Sequence, residues 1–376
     1  MAEGPIRLGM VGGGADAFIG GVHRIAARLD GHYTLVAGAL SSTPEKARAS
    51  AEALVLPRGY DSFTDMAEAE AARDDGIEAV AIVTPNHVHA DAAIAFLERG
   101  IHVICDKPLT ATMEDAHRLA DAARASKALF MLTHNYTGYP MIRQARQMIA
   151  DGDLGTVRLV NVEYAQDWMT GAAEGKQAEW RIDPARSGAG GAIGDIGTHA
   201  YNLACFVSGL KLDKLAADLD VFGAGRTLDE NAHVLLRWQG GAKGMLWCSQ
   251  VAPGNENALR LRVYGDKGGL DWSQEDPNRL WFTPFGAPKQ MLTRNGAGAT
   301  EANTAASRIP GGHPEGYLEA FANLYSEAAR AIRAHRHGEA IPGDLLVPTL
   351  EDGMDGMRFI DACVRSSAQD SDWVSP

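Results

Sequence analysis

The run I-R-L-G-M-V-G-G-G-A-D-A at residues 6–17 decides how the first third of the chain folds. Ile6 to Val11 is a short apolar stretch, Gly12, Gly13 and Gly14 follow at once, and Phe18 to Leu29 carries apolar residues at helical spacing. The expected order is strand, glycine turn, helix. In the G-x-G-x-x-A pattern formed by Gly12, Gly14 and Ala17, the glycines permit a tight turn and close approach of another body to the backbone. The free N–H groups and dipole of the helix that follows then suit a pyrophosphate, which makes Ala15 and Phe18 candidate neighbours of a dinucleotide. A strand-to-helix turn without any ligand uses some of the same glycines, so the flanking sequence has to decide.

The next stretches repeat the alternation. Tyr33 to Leu40 predicts a second strand, which ends in S-S-T-P-E-K at residues 41–46. Sites for NAD commonly place an acid there to hold the ribose hydroxyls. Ser41 stands in that place, with Ser42, Lys46 and Arg48 either within reach of a 2′-phosphate or simply solvated on the helix Pro44 to Leu54. The choice between NAD and NADP stays open on these residues. Ala79 to Val83 is apolar without alternation, as in a strand covered on both faces, and stops at Thr84, Pro85, Asn86, His87, Val88 and His89. Ile101 to Cys105 ends in Asp106, Lys107 and Pro108. Ligands of open α/β sheets bind outside the carboxyl ends of strands. Lys107 is thereby placed to hydrogen-bond a substrate oxygen or move a proton, the alternative being a surface lysine before a turn. His87 and His89 are read either as site residues or as cap and surface residues.

A second glycine-rich stretch, R-S-G-A-G-G-A-I-G-D-I-G-T-H-A-Y-N at residues 186–202, sets Asp195 four residues before His199. On an α-helix that spacing puts both on one face. The carboxylate then orients the imidazole, or both reach one substrate hydroxyl; an ordinary helix with a capping Asp and a packed His is the plainer reading.

With 376 residues the chain exceeds what one core usually serves, and two domains are expected. A formal net charge of −13 without a basic cluster argues against a nucleic-acid partner. Cys105, Cys205, Cys248 and Cys363 lack the spacing of a zinc or redox motif and are read as reduced thiols. No metal is expected. No apolar run approaches the roughly 18 residues of a membrane span, and no basic segment leads into an apolar one at the start, so a cytoplasmic protein is expected.

Together, the turn at 12–17, T-P-N-x-x-H at 84–89, D-K-P at 106–108, H-N-Y at 134–136 and G-D-I-G-T-H at 194–199 resemble the glucose-fructose oxidoreductase and inositol dehydrogenase family, Gfo/Idh/MocA. The resemblance covers nearly the whole chain. It implies an α/β protein with a Rossmann dinucleotide-binding domain at residues 1–134. An α+β domain with an open, mainly antiparallel sheet, for substrate binding and oligomerisation, follows at 135–376. It implies Lys107, Asp195 and His199 as the catalytic group, and Thr84, Pro85, Asn86, His89, Asp106, Lys107 and Asn135 beside the cofactor. Asp106 replaces the commoner Glu, which leaves that residue's contact with the cofactor open. Dimers or tetramers built on the outer sheet face are implied as well, with exposed apolar residues as their physical sign.

In the second domain, Val157 to Ala165 alternates as a strand, and further strands are expected at 216–222, 231–237, 242–251, 258–265 and 269–272. Trp168 and Trp180, near amides and charges, form a candidate carbohydrate platform, or pack in the core; Tyr136 is a further candidate substrate-binding residue. Lys176 and Arg181 leave room for an anionic substituent. Residues 274–310 read as a long loop, and His313 as a substrate contact or a capping-turn residue. The expected activity is hydride transfer between a nicotinamide and a secondary alcohol of a sugar, glycoside or cyclic polyol. Its rivals are glycoside cleavage with transient cofactor oxidation, and a nicotinamide-binding sensor without turnover.

Overall fold

The computed structural model of the chain describes residues 4–171 and 180–376. Contacts divide it into two compact units: residues 1–135 with 318–354, and residues 136–317 with 355–376. This differs from the expected division at 134 in one segment. Residues 318–354 pack with the first unit, where Phe321 and Tyr325 lie against His23 (ring centroids 5.0 and 5.8 Å) and Leu132 donates its N–H to the Pro348 carbonyl at 2.9 Å. Their apolar side chains complete a core that the nucleotide-binding strands alone leave open.

The first unit holds a six-stranded sheet of β1 (Ile6–Gly12), β2 (Tyr33–Ala39), β3 (Arg58–Gly59), β4 (Ala79–Val83), β5 (His102–Cys105) and β6 (Phe130–Leu132). The strand order is β3-β2-β1-β4-β5-β6, and every pairing is parallel. This is the doubly wound dinucleotide-binding order, with its crevice at the carboxyl ends of β1 and β4. The central strand β4 is buried along its whole length, which accounts for its unbroken apolar sequence. Helix α1 (Phe18–Leu29) follows β1 directly, as expected from the glycine run.

The second unit is built on an eight-stranded sheet. It comprises β7 (Val157–Ala165), β8 (Leu212–Asp220), β9 (Asn231–Trp238), β10 (Lys243–Ser249), β11 (Ala258–Gly265), β12 (Gly268–Ser273), β13 (Arg279–Pro284) and β14 (Gln290–Thr293), in the order β14-β13-β12-β11-β7-β10-β9-β8. All neighbours are antiparallel except β10 and β7. The helix Thr198–Ser208 packs on β7, β10 and β11. One face alternates into the core through Val160, Val162, Leu246, Leu261 and Val263, all buried. Residues 274–310 are not one long loop: β13, β14 and the helix Glu301–Ala306 lie within them. Their turn-rich composition hid two short strands at the margin of the sheet, set by pairing of β13 with β12 and of β14 with β13 rather than by their own pattern.

Candidate functional site

In the first unit the candidate residues gather at the carboxyl edge of the sheet, because a parallel sheet brings the ends of β1, β2, β4, β5 and β6 to the same side. The backbone is shaped for a close-lying ligand. Gly12 and Gly13 have φ of +73° and +61°, and a Cβ on Gly12 would stand 2.4 Å from the Val83 carbonyl oxygen. A Cβ on Gly20 would stand 2.3 Å from the Gly13 oxygen, so α1 is drawn against the turn and its amides are brought to the crevice. Thr84 Oγ1 and Asn135 Nδ2 are buried without a protein hydrogen-bond partner among the described residues. Glycines that admit a phosphate and buried polar atoms left over beside it fit a nicotinamide dinucleotide.

Ala15 and Phe18 are exposed at the mouth of the turn, and Ala17 closes it at the start of α1. At the end of β2, Ser41 Oγ accepts the Thr43 N–H at 3.3 Å, while Ser42 and Lys46 are exposed. Arg48 is committed elsewhere, to a two-bond pair with Asp61 at 2.8 and 2.5 Å. Pro85 and Asn86 begin the turn after β4, and His87 is exposed. His89 is fully buried, with Nδ1 2.9 Å from the Pro108 carbonyl and Nε2 3.0 Å from the Thr84 carbonyl. Burial holds its pKa below the usual histidine range. A neutral imidazole has one N–H, so it bonds one carbonyl at a time while packing between the two turns.

Lys107 follows β5, and the Lys107–Pro108 bond is cis. Asp106 turns its carboxylate to the protein: Oδ1 accepts from the Lys107 N–H at 3.0 Å and from Thr133 Oγ1 at 2.9 Å. Behind it, His23 Nε2 lies 4.0 Å away, and His23 Nδ1 meets Tyr325 Oη at 2.8 Å. The shorter side chain thus fixes the backbone that carries Lys107. Burial, followed by the charge of Lys107, pushes the His134 imidazole down to about 3, and it is neutral at pH 7.

In the second unit Asp195 and His199 lie on either side of a change in helix type. Ile193–Gly197 is a π turn and Thr198–Ser208 is α-helical, so the expected single α-helical face is replaced by a wider turn at the acid. Such turns recur at functional sites. Asp195 Oδ2 accepts from Arg181 Nε at 3.2 Å and Gln250 Nε2 at 3.0 Å. The ring of His199 meets the edge of Tyr136 at 4.9 Å.

A belt of amides and phenols joins these two ends. Gln250 Nε2 reaches Gln166 Oε1 at 3.5 Å, and Gln166 Nε2 donates to Asn257 Oδ1 at 2.8 Å. Tyr164 also donates to Asn257 Oδ1 at 2.8 Å, and its hydroxyl lies 2.5 Å from that of Tyr136. With the Tyr164 proton spent on Asn257, Tyr136 is the donor of that last bond. Burial pushes both phenols up, so neither serves as a base at neutral pH. The strand register explains the convergence: Ala165 at the end of β7 pairs with Ser249 at the end of β10 and with Ala258 at the start of β11. Gln166, Gln250 and Asn257 therefore share one sheet edge, although 84 and 91 positions separate Gln166 from its two partners.

Of the two tryptophans, Trp168 is 37 % exposed, with its N–H tied to Gln166 Oε1 at 3.0 Å. One face of Trp180 is covered by the Arg181 guanidinium, 4.7 Å from the ring centroid. Lys176 lies outside the described residues. His313 is exposed, and its carbonyl accepts from the buried Arg294, which also pairs with Glu315 at 2.9 Å. Of the belt, Tyr136 lies in a sequence motif and Gln166 beside the Trp168 candidate; Tyr164, Gln250 and Asn257 carry no local signal of a site. Among the described residues no three His, Cys, Asp or Glu side chains cluster as a metal site requires.

A parallel sheet of this order, a glycine cradle at its carboxyl edge and an acid, an imidazole and a polar belt in a second sheet unit define a nicotinamide-dependent oxidoreductase architecture. The chain belongs to the GFO/IDH/MocA oxidoreductase family, whose NAD-binding Rossmann-fold model matches residues 6–134 and whose C-terminal domain model matches residues 142–271. It is 63 % identical to an oxidoreductase from Sinorhizobium meliloti of known crystal structure, over 99 % of this chain and 100 % of that one, with a TM-score of 0.90. It is 36 % identical to an inositol dehydrogenase homolog from Azotobacter vinelandii solved with NADH and myo-inositol (99 % and 98 % covered, TM-score 0.94). It is 28 % identical to the levoglucosan dehydrogenase of Pseudarthrobacter phenanthrenivorans, over 98 % of this chain and 97 % of the relative.

Proposed function

We propose that the protein oxidises a secondary alcohol of a cyclic polyol or sugar, or reduces the corresponding ketone, with NAD or NADP as hydride partner. The observation that carries this reading is the belt running from Asp195 to Tyr136, which offers several neutral donors and acceptors at the edge of one sheet, beside the exposed face of Trp168. Neutral amides and phenols suit the hydroxyls of an uncharged ring, and an indole face suits its C–H side. The relative solved with myo-inositol and the one named levoglucosan dehydrogenase point to molecules of that kind. A bound nicotinamide supplies the hydride acceptor.

The protein's part is to move the hydroxyl proton and hold the alcohol. His199 takes the proton, Lys107 donates a hydrogen bond to the same oxygen, and Asp195 accepts from a neighbouring hydroxyl or from the imidazole. Tyr136, buried and edge-on to His199, limits the tilt of that ring. We also assign a homo-oligomer to the protein, on the exposed apolar residues of the outer sheet face.

Wild-type protein assayed with myo-inositol, other cyclic polyols and simple sugars should accumulate reduced cofactor at 340 nm. The variants His199→Ala and Lys107→Ala should each lose about a hundredfold or more in kcat, the scale of a general acid or base. Wild-type turnover by both variants would remove the mechanism. Product formation without reduced cofactor would instead favour glycoside cleavage with transient oxidation.

A further inference from the structure

The helix that carries Asp195 and His199 begins without a cap of its own: Ala192 precedes the π turn and offers no side-chain hydrogen bond. The first N–H groups of any helix need partners from outside it. Here three consecutive amides find them on one residue. Asp229 accepts the Gly191 N–H on Oδ1 at 2.6 Å, the Ile193 N–H on Oδ2 at 2.7 Å and the Ala192 N–H on its carbonyl oxygen at 2.8 Å. Two residues before β9 and 5 % exposed, Asp229 reaches the turn from the same sheet edge as the belt, since Asn231 at the start of β9 pairs with Ser249. The fit leaves no room for a side chain on the turn, because a Cβ on Gly191 would stand 2.1 Å from the Asp229 carbonyl oxygen. The next bond up the chain, from Asp195 N–H to Gly191 carbonyl at 2.9 Å, passes this placement to the acid.

Resting on the dehydrogenase reading above, we infer that Asp229 is a positioning residue for the reaction: a buried clamp that sets where the π turn starts and so where Asp195 and His199 stand. Burial pushes its carboxyl up to about 6, opposed by the amide hydrogen bonds, and the environment includes the buried thiols of Cys248 and Cys363. A buried carboxyl is a costly way to begin a helix unless its oxygens are hydrogen-bonded. Its three bonds to successive amides are what a fixed helix start requires.

Hydrogen exchange on the wild type is the first test, because it needs no variant. The amides of Gly191 and Ile193 should be among the slowest in residues 188–197, and exchange at open-loop rates overturns the clamp. The second test is Asp229→Asn, which keeps the shape but turns one acceptor into a donor facing a backbone N–H. It should speed exchange within residues 190–199 and lower kcat by about ten- to a hundredfold, the cost of misplacing a reacting group by about an ångström. The dissociation constant for NADH should stay within about twofold, since the cofactor residues belong to the other unit. Unchanged kcat, or a parallel loss of NADH affinity that marks general loosening, overturns the proposal. If the wild type turns over no polyol or sugar, the dehydrogenase reading falls, and the exchange pattern alone decides for or against the clamp.

Discussion

Ser41 is the side chain on which cofactor choice turns. A carboxylate in its place would accept from a ribose 2′-hydroxyl and repel a 2′-phosphate; a hydroxyl accepts more weakly from the former and can donate to the latter. Since Arg48 is paired with Asp61, the donors left for a phosphate are Ser41, Ser42 and the exposed Lys46. One charge-assisted bond is worth about 1.5 to 3 kcal/mol, or roughly ten- to a hundredfold in relative affinity. Ser41→Asp should therefore lower the NADP-to-NAD ratio of kcat/KM by about that factor. A ratio that does not move would place ribose recognition elsewhere. Lys107, Asp195 and His199 could be singled out as candidates because each sits in a short motif. Asp229 was not: its carboxylate acts 38 and 36 positions away. No local pattern announces a contact that only strand pairing creates.

At the scale of elements, β1, α1 and the apolar strand β4 could be read directly, since glycine spacing and a run without alternation are local signals. The π turn could not, because Asp195 and His199 keep the same four-residue spacing in an ordinary α-helix. β13 and β14 were hidden for a different reason: short strands at the margin of a sheet owe their form to a neighbour. Those strands extend a sheet whose outer face carries exposed apolar side chains among charged ones. Leu235 and Met245 are register partners on β9 and β10, and Trp281 and Met291 on β13 and β14; with Leu159 and Tyr264 they are between 37 and 57 % exposed. Light scattering should find wild-type protein as a dimer or tetramer. The double variant Leu235→Glu, Met245→Glu should shift it toward monomer, because two carboxylates would have to lose their water at the interface. A monomeric wild type, or an unshifted double variant, would rule out this face.

For the whole molecule, the chain passes between its two units three times, after Asn135, Tyr317 and Met354. The first unit is consequently assembled from two separated stretches. Tyr325 bonds His23 at 2.8 Å and packs its ring on Tyr33, and the Met131–Thr349 bridge adds a further pairing at β6. A fragment ending at residue 135 would leave those apolar faces to water. It should show no cooperative thermal transition by circular dichroism, whereas residues 1–135 joined through a Gly/Ser linker to 318–354 should melt cooperatively and bind NADH. Cooperative melting of the short fragment would show that 318–354 is dispensable. The nicotinamide half is therefore not a cassette that can be cut out at one junction: recombination between relatives that preserves it has to carry two segments of the gene together, and a single crossover near residue 135 separates parts of one core.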